Sequence, residues 1–325
     1  MNQSQRNSTQ PTPARKGGFF VDTVSERSYT ATMSHLPKLI AVVGPTASGK
    51  SSLAIRCAQE TNGEIVSVDS RQVYRGLDIG SGKVTVEEQS IVPHHLLDVA
   101  EPNDMYTVSH FQRDAYAAID DVIARNRLPY LVGGTALYAY AVIDNYLLSD
   151  TPPNKQLRTQ LASLTRRELQ AHVPEDILNA DDYQNPRRLI RAIEKIRNKE
   201  PLVQQKGAPR YESLLLGIRL PREALYEKID QRVDERVAEG MIEEVASLRE
   251  NGASDDWLLK LGLEYRFITE FLRGDWTSQD EMLERLKGAI HAFSKRQMTW
   301  FKKDERIQWV TSTDEALDHA QKFLS

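Results

Sequence analysis

The chain of 325 residues is short of cysteine, of long apolar runs and of net charge. Its one cysteine, Cys57, rules out an intrachain disulfide framework, so a reducing, cytoplasmic setting is expected. No apolar run approaches the ~20 residues that a membrane-spanning helix needs, and we expect no membrane partner. The formal net charge is −4, so any RNA site has to come from local basic clusters rather than from an overall field.

The stretch at 44–51 fits the pattern G-x-x-x-x-G-K-[ST] at every fixed position. An apolar run typical of a buried strand precedes it, and a segment with an apolar helical face follows it. This arrangement wraps backbone N–H groups around a diphosphate or a nucleotide such as ATP. Lys50 would bring a point charge to the terminal phosphate, and the Ser51 hydroxyl can ligate Mg²⁺. The residues predicted to form this site are Gly44, Pro45, Thr46, Ala47, Ser48, Gly49, Lys50 and Ser51.

Apolar runs typical of buried strands alternate with helical patterns along the chain. The runs predict strands at 39–43, 64–68, 128–132, 214–218 and 306–310. The alternation predicts an α/β fold with a parallel, P-loop NTPase-like sheet. Ligands of such sheets bind beyond the carboxyl ends of the strands. Asp69 and Thr135 each follow a strand and should therefore lie on the same rim as the glycine loop.

The helical patterns suggest how the chain is organised into domains. Apolar residues at helical spacing predict helices over 108–123, 279–302 and 314–324, and one long helix over 225–245. Residues 146–211 show no strand pattern, so we predict a helical domain inserted into a sheet domain made of 38–145 and 212–325. Residues 1–37, rich in Ser, Thr, Gln, Asn and Pro, are expected to be a disordered extension.

The acidic residue that ATP-hydrolysing proteins with this loop carry at the end of a second strand is not where it would be expected. The strand ending at Val132 delivers Gly133, Gly134 and Thr135, whereas the strand ending at Val68 delivers Asp69. Asp69 could hold a metal, act as a general base or cap the following turn, and the residues alone leave these roles open.

Several further blocks, in order along the chain, resemble the tRNA dimethylallyltransferase family. They are DSRQVYRGLDIG at 69–80, PHHLLD at 93–98, GGTALY at 133–138, NPRRLIR at 185–191, LPRE at 220–223 and KRQMTWF at 295–301. Members of that family transfer a dimethylallyl group from dimethylallyl diphosphate to the exocyclic amine (N6) of the adenosine 3′-adjacent to the tRNA anticodon. The resemblance implies the same prenyltransferase reaction here, with Mg²⁺ as cofactor and diphosphate as leaving group.

The resemblance also implies roles for individual residues. Asp69 would take the proton from the adenine amine, with Thr135 and Arg232 also in the catalytic group. Thr46, Lys50, Ser51 and Arg232 would hold the diphosphate, although spacing alone would leave Arg232 facing solvent. The residues that it implies at the tRNA anticodon stem-loop are Asp69, Ser70, Arg71, Gln72, Thr135, Arg158, Arg187, Arg188, Leu189, Ile190 and Arg191.

Other features suggest less. His94 and His95 lack further ligands at metal-site spacing, so a structural role is expected. Trp300 and Phe301 are expected in the core. The block at 262–266 departs from the corresponding family block, so no substrate contacts are assigned to it. No Cys/His zinc module follows the core, as in bacterial members of the family.

Three other functions remain open at this point: a free adenine-nucleotide isopentenyltransferase, a P-loop small-molecule kinase and a non-catalytic RNA-binding protein. The basic residues at 187–199 argue against the first, and a complete glycine loop followed by Asp69 argues against the last. The expected partners are tRNA and dimethylallyl diphosphate, and the protein is expected to act as a monomer.

Overall fold

The computed structural model describes residues 36–149, 154–175 and 177–325. The chain divides into two units, residues 1–36 and 37–325, and the second unit carries the fold described below. The predicted N-terminal extension therefore lies almost wholly outside the described residues.

A six-stranded parallel sheet forms the centre of the second unit. Its strands are β1 (Lys38–Val43), β2 (Gly63–Val68), β3 (His94–His95), β4 (Leu128–Gly133), β5 (Glu212–Ile218) and β6 (Ile307–Val310). They lie in the order β3-β2-β4-β1-β5-β6, and every neighbouring pair is parallel. The predicted parallel α/β fold is confirmed. The short β3 was not predicted, because two residues are too few to give a periodic pattern.

The register brings the functional loops together at one edge of the sheet. Val43 lies opposite Gly133 in β4 and Gly217 in β5, and Val68 also lies opposite Gly133. The segments that follow β1, β2 and β4 therefore leave the sheet side by side. A Cβ on Gly133 would lie 2.0 Å from the Val68 carbonyl oxygen, so this close approach requires glycine.

Fourteen helices are present in the described residues. They are α1 (Lys50–Glu60), α2 (Val86–Ile91), α3 (Val108–Ala124), α4 (Ala136–Ile143), α5 (Lys155–Ala162), α6 (Arg166–Gln170), α7 (Ala180–Tyr183), α8 (Pro186–Arg197), α9 (Arg222–Ala238), α10 (Met241–Glu250), α11 (Asp255–Leu261), α12 (Leu263–Leu272), α13 (Gln279–Phe301) and α14 (Thr313–Leu324).

Helices cover both faces of the sheet, which explains why the strands are apolar throughout. Residues Leu39 and Ala41 of β1 belong to a core that includes α3 and α4. Their neighbours Ile40 and Val42 belong to a core that includes α1 and α14 on the other face. Because side chains alternate along a strand, β1 is buried on both sides.

The single long helix predicted over 225–245 is wrong. The structure has two helices, α9 and α10, separated at Gly240, whose φ of 101° is left-handed and suits glycine. The apolar spacing continues across the break because Val233, Met241 and Val245 pack into one core. Helices α9 to α13 share that core with residues of the segment after β2.

Helices α5 to α8 lie between β4 and β5 in sequence, and the described residues of 154–197 form no strand. Leu157, Leu169, Leu189 and Ile193 pack together in a small core of their own. Asn185 caps α8 through its side chain, and proline at the first helical position suits this start. The division into a sheet domain and an inserted domain stays a prediction. Within the described ranges, no helix has the length and apolarity needed to cross a membrane.

Candidate active site

The glycine loop turns sharply between β1 and α1. Ala47 and Gly49 have φ of 60° and 87°, and the Ser48 N–H donates to the Pro45 carbonyl at 3.4 Å. Lys50 Nζ donates to the same carbonyl at 3.2 Å, so its ammonium lies along the loop. The buried Ser48 hydroxyl has no hydrogen-bond partner among the described residues. The loop thus places a cation beside the start of a helix, where anions bind favourably.

A second cation reaches this loop from α9. Arg232 donates a hydrogen bond to the Thr46 hydroxyl, and its buried Nε has no partner among the described residues. The solvent-facing position suggested by spacing alone is therefore wrong. Burial, with the charge of Arg236 second, lowers the pKa of Arg232 to about 10. Burial, and next the charge of Arg232, lowers the pKa of Lys50 to about 8.

Asp69 follows β2 and is held by the turn that it begins. Its Oδ1 accepts hydrogen bonds from the backbone N–H groups of Arg71 at 2.8 Å and Gln72 at 3.4 Å. The Ser70 N–H donates to the Thr135 hydroxyl at 3.3 Å, which ties this turn to the one after β4. Asp69 therefore caps a turn with one oxygen, and within the described part of the chain Oδ2 accepts no hydrogen bond.

A cavity of about 290 Å³ brings many of the predicted site residues together. Those that line it are Thr46, Lys50, Asp69, Arg71, Thr135 and Arg187. Ser51 and Arg232 instead line a second cavity of about 310 Å³, together with 47–50 and with Lys228. The loop therefore separates two cavities, and Lys50 borders both.

The remaining residues predicted to contact tRNA have different surroundings. Arg188 is exposed, and its nearest carboxylate is that of Asp182 at 3.6 Å. Arg158 donates to both oxygens of the buried Glu194, at 2.8 and 2.7 Å, and Arg191 also contacts Glu194.

Leu189 requires a correction, whereas Ile190 is partly buried and stays a predicted contact. Leu189 is fully buried in the core of α5 to α8, so its side chain has no surface to offer an RNA, and Ile190 packs against the same core.

Ser70 and Gln72, also predicted to contact tRNA, form hydrogen bonds within the protein. The hydroxyl of Ser70 accepts from Arg71 at 2.7 Å, and Gln72 donates to the Gly82 carbonyl at 2.9 Å. These hydrogen bonds hold Ser70 and Gln72 beside Asp69, but the cavity is lined by Asp69 and Arg71 rather than by these two residues.

Gln297 was not assigned a role from the sequence. Its Oε1 accepts from the Thr46 N–H at 3.0 Å, and its Nε2 donates to the Gly134 carbonyl at 2.9 Å. This side chain therefore joins the glycine loop to the turn after β4. The available signal was a polar residue in register with the apolar positions Ile290 and Phe293 of α13.

Two further parts of the cavity wall were not predicted. Arg236, one turn after Arg232, lines the cavity and donates to the Gly80 carbonyl at 3.4 Å. All five residues of 262–266, to which no substrate contacts were assigned, also line it. A Cβ on Gly262 would lie 2.7 Å from Arg71 Nε, so this residue lets the two segments approach closely.

One member of the histidine pair contacts a buried carboxylate, and the structural role of the pair stays a prediction. His95 lies 2.7 Å from Glu64, which also binds Arg125 and Arg127. The hydrogen bond from Arg125 is the main cause that lowers the pKa of Glu64 to about 2. The described residues contain no group of three or more His, Cys, Asp or Glu side chains arranged to hold a metal.

The aromatic pair after Thr299 divides in two. Phe301 is fully buried beneath the sheet, as expected of a core residue. The same expectation is wrong for Trp300, which is 42% exposed and contacts the edge of Tyr140.

The fold and the loop define a P-loop-type α/β protein. The family model described as IPP transferase matches residues 72–304, and that described as isopentenyl transferase matches 37–98. The chain belongs to the IPP transferase family, and the resemblance found in the sequence is confirmed.

Individual relatives agree with this assignment. The tRNA dimethylallyltransferase of Thermomicrobium roseum is 39% identical over 291 residues, which cover 86% of this chain and 88% of the relative. The tRNA dimethylallyltransferase 2 of Trichlorobacter lovleyi is 42% identical over 296 residues, covering 88% and 96%. The crystal structure of the full-length tRNA isopentenylpyrophosphate transferase from Bacillus halodurans is 35% identical, with a TM-score of 0.67, covering 88% of this chain and 95% of that one.

Proposed function

We propose that the protein transfers the dimethylallyl group of dimethylallyl diphosphate to N6 of the adenosine 3′-adjacent to the tRNA anticodon. The products are N6-dimethylallyladenosine and diphosphate. The observation that carries this proposal is one cavity in which Asp69 and Thr135 face Thr46 and Lys50 of the glycine loop. The relatives named as tRNA dimethylallyltransferases support the same reaction.

The glycine loop is suited to hold the leaving group. Breaking the bond between the allylic carbon and oxygen leaves its electron pair, and negative charge, on the diphosphate. Lys50, Arg232 and the N–H groups at the start of α1 can stabilise that charge in a buried setting, where such interactions are strong. The Arg232 Nε and the Ser48 hydroxyl are buried and have no hydrogen-bond partner among the described residues.

Asp69 is suited to prepare the nucleophile. The N6 amine of adenine is a poor nucleophile because its lone pair is delocalised into the ring. As the new N–C bond forms, the amine loses a proton, and Oδ2 of Asp69 is the oxygen that can accept it. To reach this cavity the adenine has to leave the stack of the anticodon loop, which costs a few kcal/mol.

Mg²⁺ is proposed as the cofactor. The donors fit this ion, because Mg²⁺ in phosphate sites takes one or two protein oxygens and completes its shell with substrate phosphates and water. The Ser51 hydroxyl, in the first turn of α1, would be the protein ligand, and the ion would neutralise charge on the diphosphate.

The surface proposed to bind the anticodon stem-loop consists of the cavity wall and helix α8. Arg71 and Arg187 line the cavity from segments that are distant in sequence, and Arg188, next to Arg187, is exposed. Dimethylallyl diphosphate as the donor, the monomeric state and a cytoplasmic location belong to the same proposal.

The experiment offers the protein dimethylallyl diphosphate and Mg²⁺ together with either tRNA or AMP, followed by mass spectrometry of the nucleosides. We expect N6-dimethylallyladenosine in tRNA and little prenylated AMP. Prenylation of AMP alone, or ATP consumption without any prenyl donor, would refute the proposal in favour of a free-nucleotide transferase or a kinase.

A further inference from the structure

The carboxylate of Glu244, on α10, binds three consecutive backbone N–H groups of a distant loop. Its Oε2 accepts from Asp78 at 2.9 Å and Ile79 at 2.7 Å, and its Oε1 accepts from Gly80 at 3.0 Å. The hydroxyl of Tyr265 donates to Oε1 at 3.0 Å. Successive N–H groups that converge in this way form an anion-binding nest. Bonds to an ionised acceptor are roughly twice as strong as neutral ones, so Glu244 holds this loop firmly.

The break between α9 and α10 gives Glu244 this position. The first helix ends at Ala238, and Gly240 precedes the next one. Glu244 lies in the opening turn of that second helix, where its N–H donates to the Gly240 carbonyl. The loop is also packed tightly, because a Cβ on Gly80 would lie 2.8 Å from the ring of Tyr265. Residues 78–82 are therefore fixed between a carboxylate and a buried aromatic ring.

This loop leads to the proposed catalytic groups by two routes. The Gly80 carbonyl accepts a hydrogen bond from Arg236, which lines the cavity beside the glycine loop. The Gly82 carbonyl accepts from the side chain of Gln72 at 2.9 Å, and the Gln72 N–H donates to Asp69. Gly80 itself lines the cavity. A shift of the loop would therefore change the shape of the cavity and the position of the Arg236 charge beside it.

We infer that Glu244 is a positioning residue for the transfer reaction. By holding the 78–82 loop, Glu244 orients Gln72, which in turn orients Asp69. Glu244 also fixes the Gly80 carbonyl that accepts a hydrogen bond from Arg236. The inference rests on the proposed function. Reactions that depend on positioning lose about 10²-fold for a misplacement of about 1 Å, so the effect of losing Glu244 should appear in turnover rather than in tRNA affinity.

The first test compares two substitutions in the same turn of α10. Glu244→Gln offers one acceptor oxygen and turns an NH₂ group toward backbone donors, so we expect kcat to fall by roughly ten- to a hundredfold. The Kd for tRNA should change less than about twofold. Glu243→Gln removes the same charge from an exposed neighbour and should leave kcat unchanged. Thermal unfolding of both variants establishes that they are folded.

The second test is chemical rescue, which a residue that merely stabilises the fold would not allow. Glu244→Ala leaves the three N–H groups of 78–80 exposed to a small anion. Acetate should raise its kcat by about threefold or more, whereas neutral acetamide at equal concentration should not. If neither variant folds, Glu244→Asp, which keeps the charge on a shorter side chain, should lose about three- to tenfold in kcat.

Two results would overturn the inference alone, provided that the wild-type protein prenylates tRNA. One is a folded Glu244→Gln variant with wild-type kcat, and the other is a Glu244→Ala variant that acetate and acetamide affect alike. A wild-type protein that modifies no tRNA would instead overturn the proposed function, and this inference with it.

Discussion

Arg232 and Lys50 bring two positive charges to one loop from helices that lie far apart in sequence. Arg232 donates to the Thr46 hydroxyl, and Lys50 donates to the Pro45 carbonyl one residue earlier. Burial, and next the charge of Arg232, lowers the pKa of Lys50, whereas burial and the charge of Arg236 lower the pKa of Arg232. A diphosphate between them would offset both charges.

The affinity of the free enzyme for the prenyl donor should therefore depend on pH. The pKa of Lys50 is lowered to about 8, so Lys50 is charged below that pH and loses its proton as the pH rises through it. We expect kcat/KM for dimethylallyl diphosphate to fall above pH ~8, by up to about tenfold per pH unit. Lys50→Arg should remove this decline, because arginine keeps its proton in that range. A wild-type profile that is flat from pH 7 to 9.5 would contradict the prediction.

Replacement of Asp69 by asparagine should separate its role in capping the turn from its role in catalysis. Asp69→Asn retains a carbonyl oxygen that can accept from the Arg71 N–H, so the turn should persist. Loss of the proton acceptor should lower the single-turnover rate by about 10²–10⁴-fold, with the Kd for tRNA unchanged. Asp314→Asn, at the exposed start of α14, serves as the control. Near-normal transfer by Asp69→Asn would exclude this carboxylate as the base.

Arg188 and Arg158 should respond differently to truncation. Arg188 is exposed and weakly paired, so Arg188→Ala should weaken tRNA binding and reduce the slope of log K against log salt by about 1. An unchanged slope would argue against a phosphate contact at this position.

Arg158→Ala should act mainly on stability, because it removes the bidentate partner of the buried Glu194. We expect the free energy of unfolding of the part containing α5 to α8 to fall by about 1–3 kcal/mol, measured by urea denaturation. If Arg158→Ala instead leaves stability intact and flattens the salt dependence, its role is at the RNA.

Gln297→Leu should loosen the glycine loop. It leaves the Thr46 N–H and the Gly134 carbonyl without their partner, at a cost of about 1–3 kcal/mol in the free energy of unfolding. The KM for dimethylallyl diphosphate should rise as well, because the loop is then less well ordered for the diphosphate. Gln321→Leu, on the exposed side of α14, is the matched control. Equal stability and equal KM for the two variants would show that this link is dispensable.

Much of the fold could be predicted because the apolar runs of a doubly covered parallel sheet are continuous. The runs at 39–43 and 64–68 gave the strands almost to the residue. The break at Gly240 could not be predicted from periodicity, since Met241 and Val245 keep the spacing of the preceding helix while packing into the same core. A left-handed glycine is the physical cause, and a single helical glycine is a weak signal in a sequence.

The candidate site, too, could be predicted only in part. The glycine loop and Asp69 could be predicted because each is tied to the end of a strand and so to one rim of the sheet. Gln297, Arg236 and Tyr265 could not, because they reach the cavity from helices whose placement depends on packing between distant segments. Leu189 was predicted to contact tRNA although its side chain is buried in the core. The error arose because the residues of 187–191 were treated as one surface.

The position of β1 in the sheet has a consequence for synthesis of the protein. One neighbour of β1 is β4, but the other is β5, which begins only at Glu212. Helices α5 to α8 are synthesised after β4 and before β5. They pack into a local core of their own, which favours early folding. A nascent or prematurely ended chain that stops before β5 would leave the apolar β1 as an unprotected sheet edge. We therefore expect such fragments to aggregate or to require a chaperone until the fifth strand emerges from the ribosome.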